Sequence, residues 1–195
     1  VTESLSRRLN VGCGRNIRPG WLNLDNSDLP GIDIRFDLER CRTTRIPLPD
    51  NHIDEFLLSH VIEHIRDSMA LMEELYRIAA PGARCVIHTP YGSSDDAWED
   101  PTHVRPYFKN SFAYFSQPSY WRADYGYRAD WQPEIVNLHV PAARFQATPH
   151  DQLIALVEQS RNIVSEMVAT LVAVKPARQP LQELQQLPRV GIMLV

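Results

Sequence analysis

Three stretches carry side chains whose types and spacing could do chemistry. His60-Val61-Ile62-Glu63-His64 sets two imidazoles and a carboxylate close together, the H-x-x-E-H pattern in which both histidines of one helical face hold zinc and the glutamate serves as base. Asp100-Pro101-Thr102-His103-Val104-Arg105-Pro106-Tyr107 offers a histidine that titrates near neutral pH and an arginine fit to hold an acidic group. Polar groups between stiff prolines suit a site better than a linker, so His103 and Arg105 are read as acceptor-side residues, His103 as a base. Leu9-Asn10-Val11-Gly12-Cys13-Gly14 runs on through Trp21-Leu22-Asn23-Leu24 to Asp25. Strand, glycine turn, strand, carboxylate is how open α/β sheets hold a nucleoside: glycines let the backbone approach, and the acid accepts from ribose hydroxyls.

The elements that must position these groups follow from periodicity. Residues 7–11, 21–25 and 32–36 read as three short strands and Asp54–Ser59 as a buried fourth. Asp67 or Ser68 caps a helix in which Met69, Met72, Leu75, Tyr76 and Ile78 recur at helical spacing; Pro81-Gly82 stops it, and Arg84–Thr89 forms a fifth strand. His60 then falls at a strand tip rather than inside a helix, and no downstream acid stands out as a third ligand. A metal-dependent hydrolase through His60, Glu63 and His64 is therefore the minor reading, and no metal is expected. Farther on, Ser111–Phe115 and residues 151–160 read as helices, and Glu134–Val140 and Met167–Val174 as strands that pair antiparallel at one edge. The tail from Pro176 is expected to wrap the surface with one short helix. Between Gly14 and Asp25 there is room for one helical turn, and residues 26–31 have room for none. Helix content between the first three strands is thus reduced, leaving a thin face for the tail or a partner subunit, such as a second copy in a homodimer, to close.

The chain has 195 residues, 44% of them hydrophobic and 23% charged, values that fit one globular domain with its own core. A formal net charge of −4 without a run of Lys and Arg argues against nucleic acid as partner. No apolar stretch is long enough for a membrane span. Three scattered cysteines, Cys13, Cys41 and Cys85, suit a reducing compartment, the cytoplasm, rather than a disulfide framework. The chain starts at Val1 rather than at Met, which leaves room for a trimmed start.

Taken in order, LNVGCG, GWLNLD, DIRFDL, IPLPDNHIDEFLLSHVIEHI and APGARCVIHTP span roughly residues 8–90 and resemble the class I S-adenosylmethionine-dependent methyltransferases, in particular the small bacterial type 11-like subgroup. The resemblance implies a single α/β domain, Rossmann-like, with a mostly parallel sheet. Residues 1–90 would be its cofactor-binding half, 91–131 an acceptor or lid segment, and 132–195 edge strands and tail. It implies S-adenosyl-L-methionine as cofactor, with Gly12, Cys13 and Gly14 along its amino-acid portion and Asp25 on the ribose. Asp37 would take the adenine amino group with Leu38 beside the ring, and Ser59 and His60 would lie near the sulfonium. Asn10 stands where many of these enzymes carry an acid and would still hydrogen-bond; Asn16 holds the place of a third glycine.

Ten of the seventeen aromatic residues lie between Tyr107 and Trp131. They suit a lid over a small-molecule or glycan-like acceptor, or equally a small core or dimer contact of their own, with Tyr120, Trp121 and Tyr125 more exposed than Phe112 and Phe115. The function expected is methyl transfer with His103 or His60 as base. The alternative is a non-catalytic binding or assembly subunit on the same fold.

Overall fold

The computed structural model describes residues 5–195. Eight strands, β1 (Arg8–Val11), β2 (Leu22–Asp25), β3 (Ile34–Arg35), β4 (Ile53–Ser59), β5 (Ala79–Pro90), β6 (Trp131–Val140), β7 (Glu166–Ala173) and β8 (Arg189–Leu194), form one sheet in the order β3-β2-β1-β4-β5-β7-β6-β8. Neighbours run parallel except at β7, which is antiparallel to both β5 and β6. The helices are α1 (Ser68–Ile78), the single turns α2 (Asp96–Glu99) and α3 (Ala142–Phe145), and α4 (His150–Gln159). No helix among the described residues is long and apolar enough to cross a membrane.

Strand alternation divides the sheet into two unlike faces. Leu9, Leu24, Phe56, Leu58, Cys85, Ile87, Val136 and Leu171 share one face and are buried. There α1 packs through Met72, Leu75 and Ile78; Trp131 sets its ring edge-on to Phe56 at 5.7 Å and donates its Nε1–H to the Met72 carbonyl at 2.9 Å. On the other face Val86, Ile135, Val168 and Val172 are only half-buried. Toward β1 and β2 that face is closed by polar groups. Asn10 Nδ2 donates to the Asn16 carbonyl at 2.8 Å and to Asn23 Oδ1 at 3.0 Å, while Asn23 donates its backbone N–H to Asp33 Oδ2 at 2.8 Å. These bonds lash the two connecting loops to the sheet where parallel folds ordinarily place crossover helices.

Several boundaries differ from the sequence reading. β3 shrinks to two residues because its pairing with β2 ends at Asp25↔Arg35. Asp67 caps α1 by accepting from Ala70 N, and Ala79 already turns extended, so the helix ends before Pro81-Gly82. That dipeptide instead makes an irregularity inside β5, where the register moves from Ile53↔Ala79 to Glu55↔Arg84 and Gly82 adopts φ +79°. Ser111–Phe115 is a 3-10 helix. β6 and β7 pair antiparallel as read, but the outermost place beyond β6 belongs to β8, which the expected surface tail did not include. Tyr120 at 9% and Tyr125 at 76% are more exposed than Phe112 and Phe115, as read, although Tyr120 is still buried and its hydroxyl donates to the Tyr114 carbonyl. Tyr107, Phe112, Phe115, Tyr127 and Trp131 also turn inward, so the aromatic segment chiefly extends the core.

One ion pair ties the tail to this core. The fully buried Asp130 carboxylate accepts from Arg178 Nε at 2.7 Å and from its Nη2 at 2.8 Å, and from the backbone N–H of Gln117 and Arg178. Arg178→Ala would leave a buried carboxylate without its cation, a change that costs about 3–5 kcal/mol. A lowered urea midpoint with unchanged denaturant slope is the expected signature.

Candidate functional site

Two clefts open at the carboxyl ends of the parallel strands, where open α/β sheets receive ligands. The first, about 370 Å³, is lined by Gly12, Asp25, Asn26, Phe36, Asp37, Leu38, Glu39, His60, Val61, His64 and Ile65. The second, about 590 Å³, is lined by His60, Pro90, Asp96, Glu99, Asp100, Pro101 and His103. His60 belongs to both.

The glycine turn between β1 and β2 builds the floor of the first cleft. Gly12 and Gly14 have φ +62° and +49°, values costly for side chains other than glycine. A Cβ at Gly12 would stand 2.7 Å from Val61 Cγ2, whereas one at Gly14 would meet nothing within 4 Å. Gly12→Ala should therefore lower stability by about 1–3 kcal/mol through strain and crowding, measurable as a fall in Tm, and weaken any ligand resting on the turn.

Asp25 braces this turn. Its Oδ2 accepts from Gly14 N at 2.8 Å, and its Oδ1 from Ser27 N at 2.9 Å and Ser27 Oγ at 2.6 Å. Burial pushes its pKa up, but the bonds from Ser27, Gly14 and Asn26 prevail and hold the carboxyl below the usual range. Asp37 is exposed, and its Oδ1 caps the 3-10 turn Leu38–Arg40 through Glu39 N. Carboxylates at two neighbouring strand ends, with Phe36, Leu38 and Ile65 between them, offer hydrogen-bond acceptors, negative charge and an apolar bed.

The strand-tip segment after β4 is not a helix. His60 has φ +55°, and only Ile62–His64 close a 3-10 turn, so His60 and His64 do not share a helical face. The geometry that zinc proteases take from H-x-x-E-H is absent from this segment. His60 Nε2 instead lies 2.9 Å from Glu166 Oε1, and its Nδ1 lies 3.4 Å from Glu63 Oε1. Glu63 first, with Glu166, raises the His60 pKa against the opposing effect of burial. Glu166 also faces His88 Nδ1 at 3.5 Å and His139 Nδ1 at 3.1 Å. Burial, outweighing Glu166, holds the His88 pKa below its ordinary value.

Of the residues singled out from sequence, Gly12, Asp25, Asp37, Leu38 and His60 line the first cleft and His103 the second. Asn10, Cys13, Gly14, Ser59 and Arg105 line neither cleft. Both amide protons of Asn10 are spent on Asn16 and Asn23. Cys13 is buried, and burial, then Asp25, raises its thiol pKa. Arg105 lies over the Tyr107 ring, 5.4 Å from its centre. Glu166, which holds His60, escaped the sequence reading: its partners come from β5, β6 and the tip of β4, and only strand register brings them together. His64 lines the first cleft and sets its ring edge-on to that of His103 at 4.7 Å between ring centres.

Residues 2–87 match the type 11 family model described as "Methyltransferase domain". No curated protein sequence matches the chain. Among solved structures, a S-adenosylmethionine-dependent methyltransferase from Archaeoglobus fulgidus aligns over 87% of this chain and 86% of its own with a TM-score of 0.59 at 14% identity. A protein from Thermotoga maritima described as a possible histamine N-methyltransferase aligns over 87% of this chain and 82% of its own, with a TM-score of 0.54 at 13% identity. At such identities the likeness is one of fold.

Proposed function

Because the amino-terminal half of this chain belongs to the class I S-adenosylmethionine-dependent methyltransferases of type 11, we propose that the chain moves a methyl group onto a small-molecule or glycan-like acceptor seated in the second cleft, with His60 taking the acceptor's proton. The observation that carries this reading is that His60 lines both clefts, so one imidazole borders donor and acceptor alike. S-adenosylmethionine supplies a methyl carbon already activated by positive sulfur; the chain's own task is to hold the partners in line and remove a proton.

The first cleft fits that cofactor. Asp25, held by Gly14 and Ser27, lines the cleft and turns its carboxylate to the ribose hydroxyls. Asp37 offers an acceptor for the adenine amino group, Leu38 and Phe36 would flank the ring, and Gly12 lets the amino-acid portion approach the backbone. Acidic side chains also suit a cationic sulfonium. Tied by Nε2 to Glu166, the arrangement by which a carboxylate orients a catalytic imidazole, His60 has Nδ1 left to take the proton, since the Glu63 Oε1 that Nδ1 faces at 3.4 Å makes no hydrogen bond with it. In this scheme residues 1–90 hold the cofactor, 91–131 shape the acceptor side through Asp100 and His103, and 132–195 supply Glu166. The three free cysteines suit the cytoplasm.

Incubation with methyl-labelled cofactor and panels of sugar, amine and phenol acceptors, read by mass spectrometry, tests the reading. A labelled acceptor is the expected result. Tight cofactor binding with no labelled product across the panels would favour the non-catalytic alternative, which the methyltransferase match does not favour.

A further inference from the structure

We propose that Glu63, His64 and His103 bind a divalent first-row transition ion in the wall between the two clefts. Each presents a ligand-capable atom within 4.8 Å of the others. Small side-chain movements would bring them onto one ion, whose bonds to nitrogen and oxygen are about 2.0–2.2 Å. Two imidazoles and one carboxylate suit Zn²⁺, Co²⁺ or Fe²⁺ and leave coordination positions for a ligand.

Glu63 faces the His60 imidazole, which is cationic only when protonated, and is otherwise poorly satisfied. It is 2% exposed, and neither carboxylate oxygen accepts a hydrogen bond. His60 Nδ1, at 3.4 Å, approaches Oε1 without hydrogen-bond geometry. A buried carboxylate left in that state is costly, and buried charges are normally paired or bound to metal. The Glu63 backbone carbonyl also accepts from Val104 N at 2.8 Å, which ties the loop bearing His103 to the glutamate.

The bonds behind the histidines set them for ligation. Thr102 donates its hydroxyl proton to Asp100 Oδ1 at 2.6 Å, so at 2.9 Å it accepts from His64 Nδ1–H. His103 Nδ1 lies 3.3 Å from the Ala97 carbonyl, which can only accept. In both rings Nδ1 is held by oxygen, as in metal-binding histidines, and Nε2 makes no hydrogen bond; the Nε2 of His103 faces Asp100 Oδ2 at 3.8 Å, beyond hydrogen-bond reach, and stays open to an ion. His64 borders the first cleft and His103 the second, so the ion would sit where an acceptor hydroxyl must approach the donor. Coordinated there, the hydroxyl gives up its proton more easily to His60 Nδ1. That purpose, and the hydroxyl class of acceptor it implies, rest on the methyl-transfer reading; ion binding does not.

The test uses the whole chain, stripped with chelator and titrated with Zn²⁺ by calorimetry and with Co²⁺ by visible absorption, with and without S-adenosylmethionine. One ion per chain is expected, with a rise in Tm. Thr102→Val, which removes only the outer partner, should weaken it roughly 10–100-fold, and Glu63→Gln, His64→Ala and His103→Ala more than that. His52→Ala, whose ring contacts the Ser6 carbonyl outside the cluster, should leave affinity unchanged. If Glu63→Gln fails to fold, the two histidine variants decide. No saturable binding, or binding that these variants leave intact, overturns the site. Zn²⁺ binding by a chain that never binds S-adenosylmethionine would keep the site and remove the methyl-transfer reading; the converse would remove the site alone.

Discussion

Changing His60 to Asn lowers kcat by about two to four orders of magnitude, the usual worth of a positioned general base, while cofactor affinity stays nearly constant. Asparagine is the informative replacement because His60 sits at φ +55°, and Asn is among the few residues that tolerate left-handed backbone. A smaller residue at this position would mix strain with lost chemistry. The pH dependence gives a second readout. A base must be neutral to act, and Glu63 and Glu166 favour the charged imidazolium, so in chelator-treated protein the rate should climb with pH through a midpoint above the ordinary 6.5. Glu166→Gln should move that midpoint down. A His60→Asn enzyme with near-normal kcat and the same pH limb would eliminate His60 as the base.

The second large effect belongs to the cofactor. Asp25→Ala should abolish binding of S-adenosylmethionine detectable by calorimetry. The loss is twofold: the ribose loses its acceptor, and the Gly14 N–H and Ser27 lose theirs, so the glycine turn is no longer braced. Hydrogen bonds to a charged group are worth about 1.5–3 kcal/mol each, and two such losses at this site amount to roughly a hundredfold or more in affinity. Asp37→Ala, which removes an exposed acceptor and one cap, should cost less. Normal affinity in Asp25→Ala would refute the ribose assignment outright.

The sheet's first five strands were legible because alternation and turn residues agree: Leu9, Val11, Leu22 and Leu24 point one way, and Gly12 and Asp25 mark the ends. β8 was not, since Pro188 and Gly191 punctuate a run that becomes a strand only against β6. In the site, residues near one another in sequence could be read, as with Asp25 beside the glycine turn. The Glu166 hub could not, because His60, His88 and His139 reach it from separate strands. The same limit hid the pairing of His64 with His103, which a loop brings together across 38 residues through Thr102.

The helix-free links between β1, β2 and β3 bear on how the molecule comes to be. Leu9 meets Leu22, and Leu24 meets Ile34, each across one brief loop. Ordinary parallel neighbours wait for a whole crossover to be synthesised and docked before they can meet. Here closure entropy is small and the partners are near in the chain, the conditions under which pairing is fast. The corner that bears Gly12 and Asp25 is thus the portion of the sheet able to zip first, during synthesis or refolding, with the distant β6–β8 strands added to it afterwards.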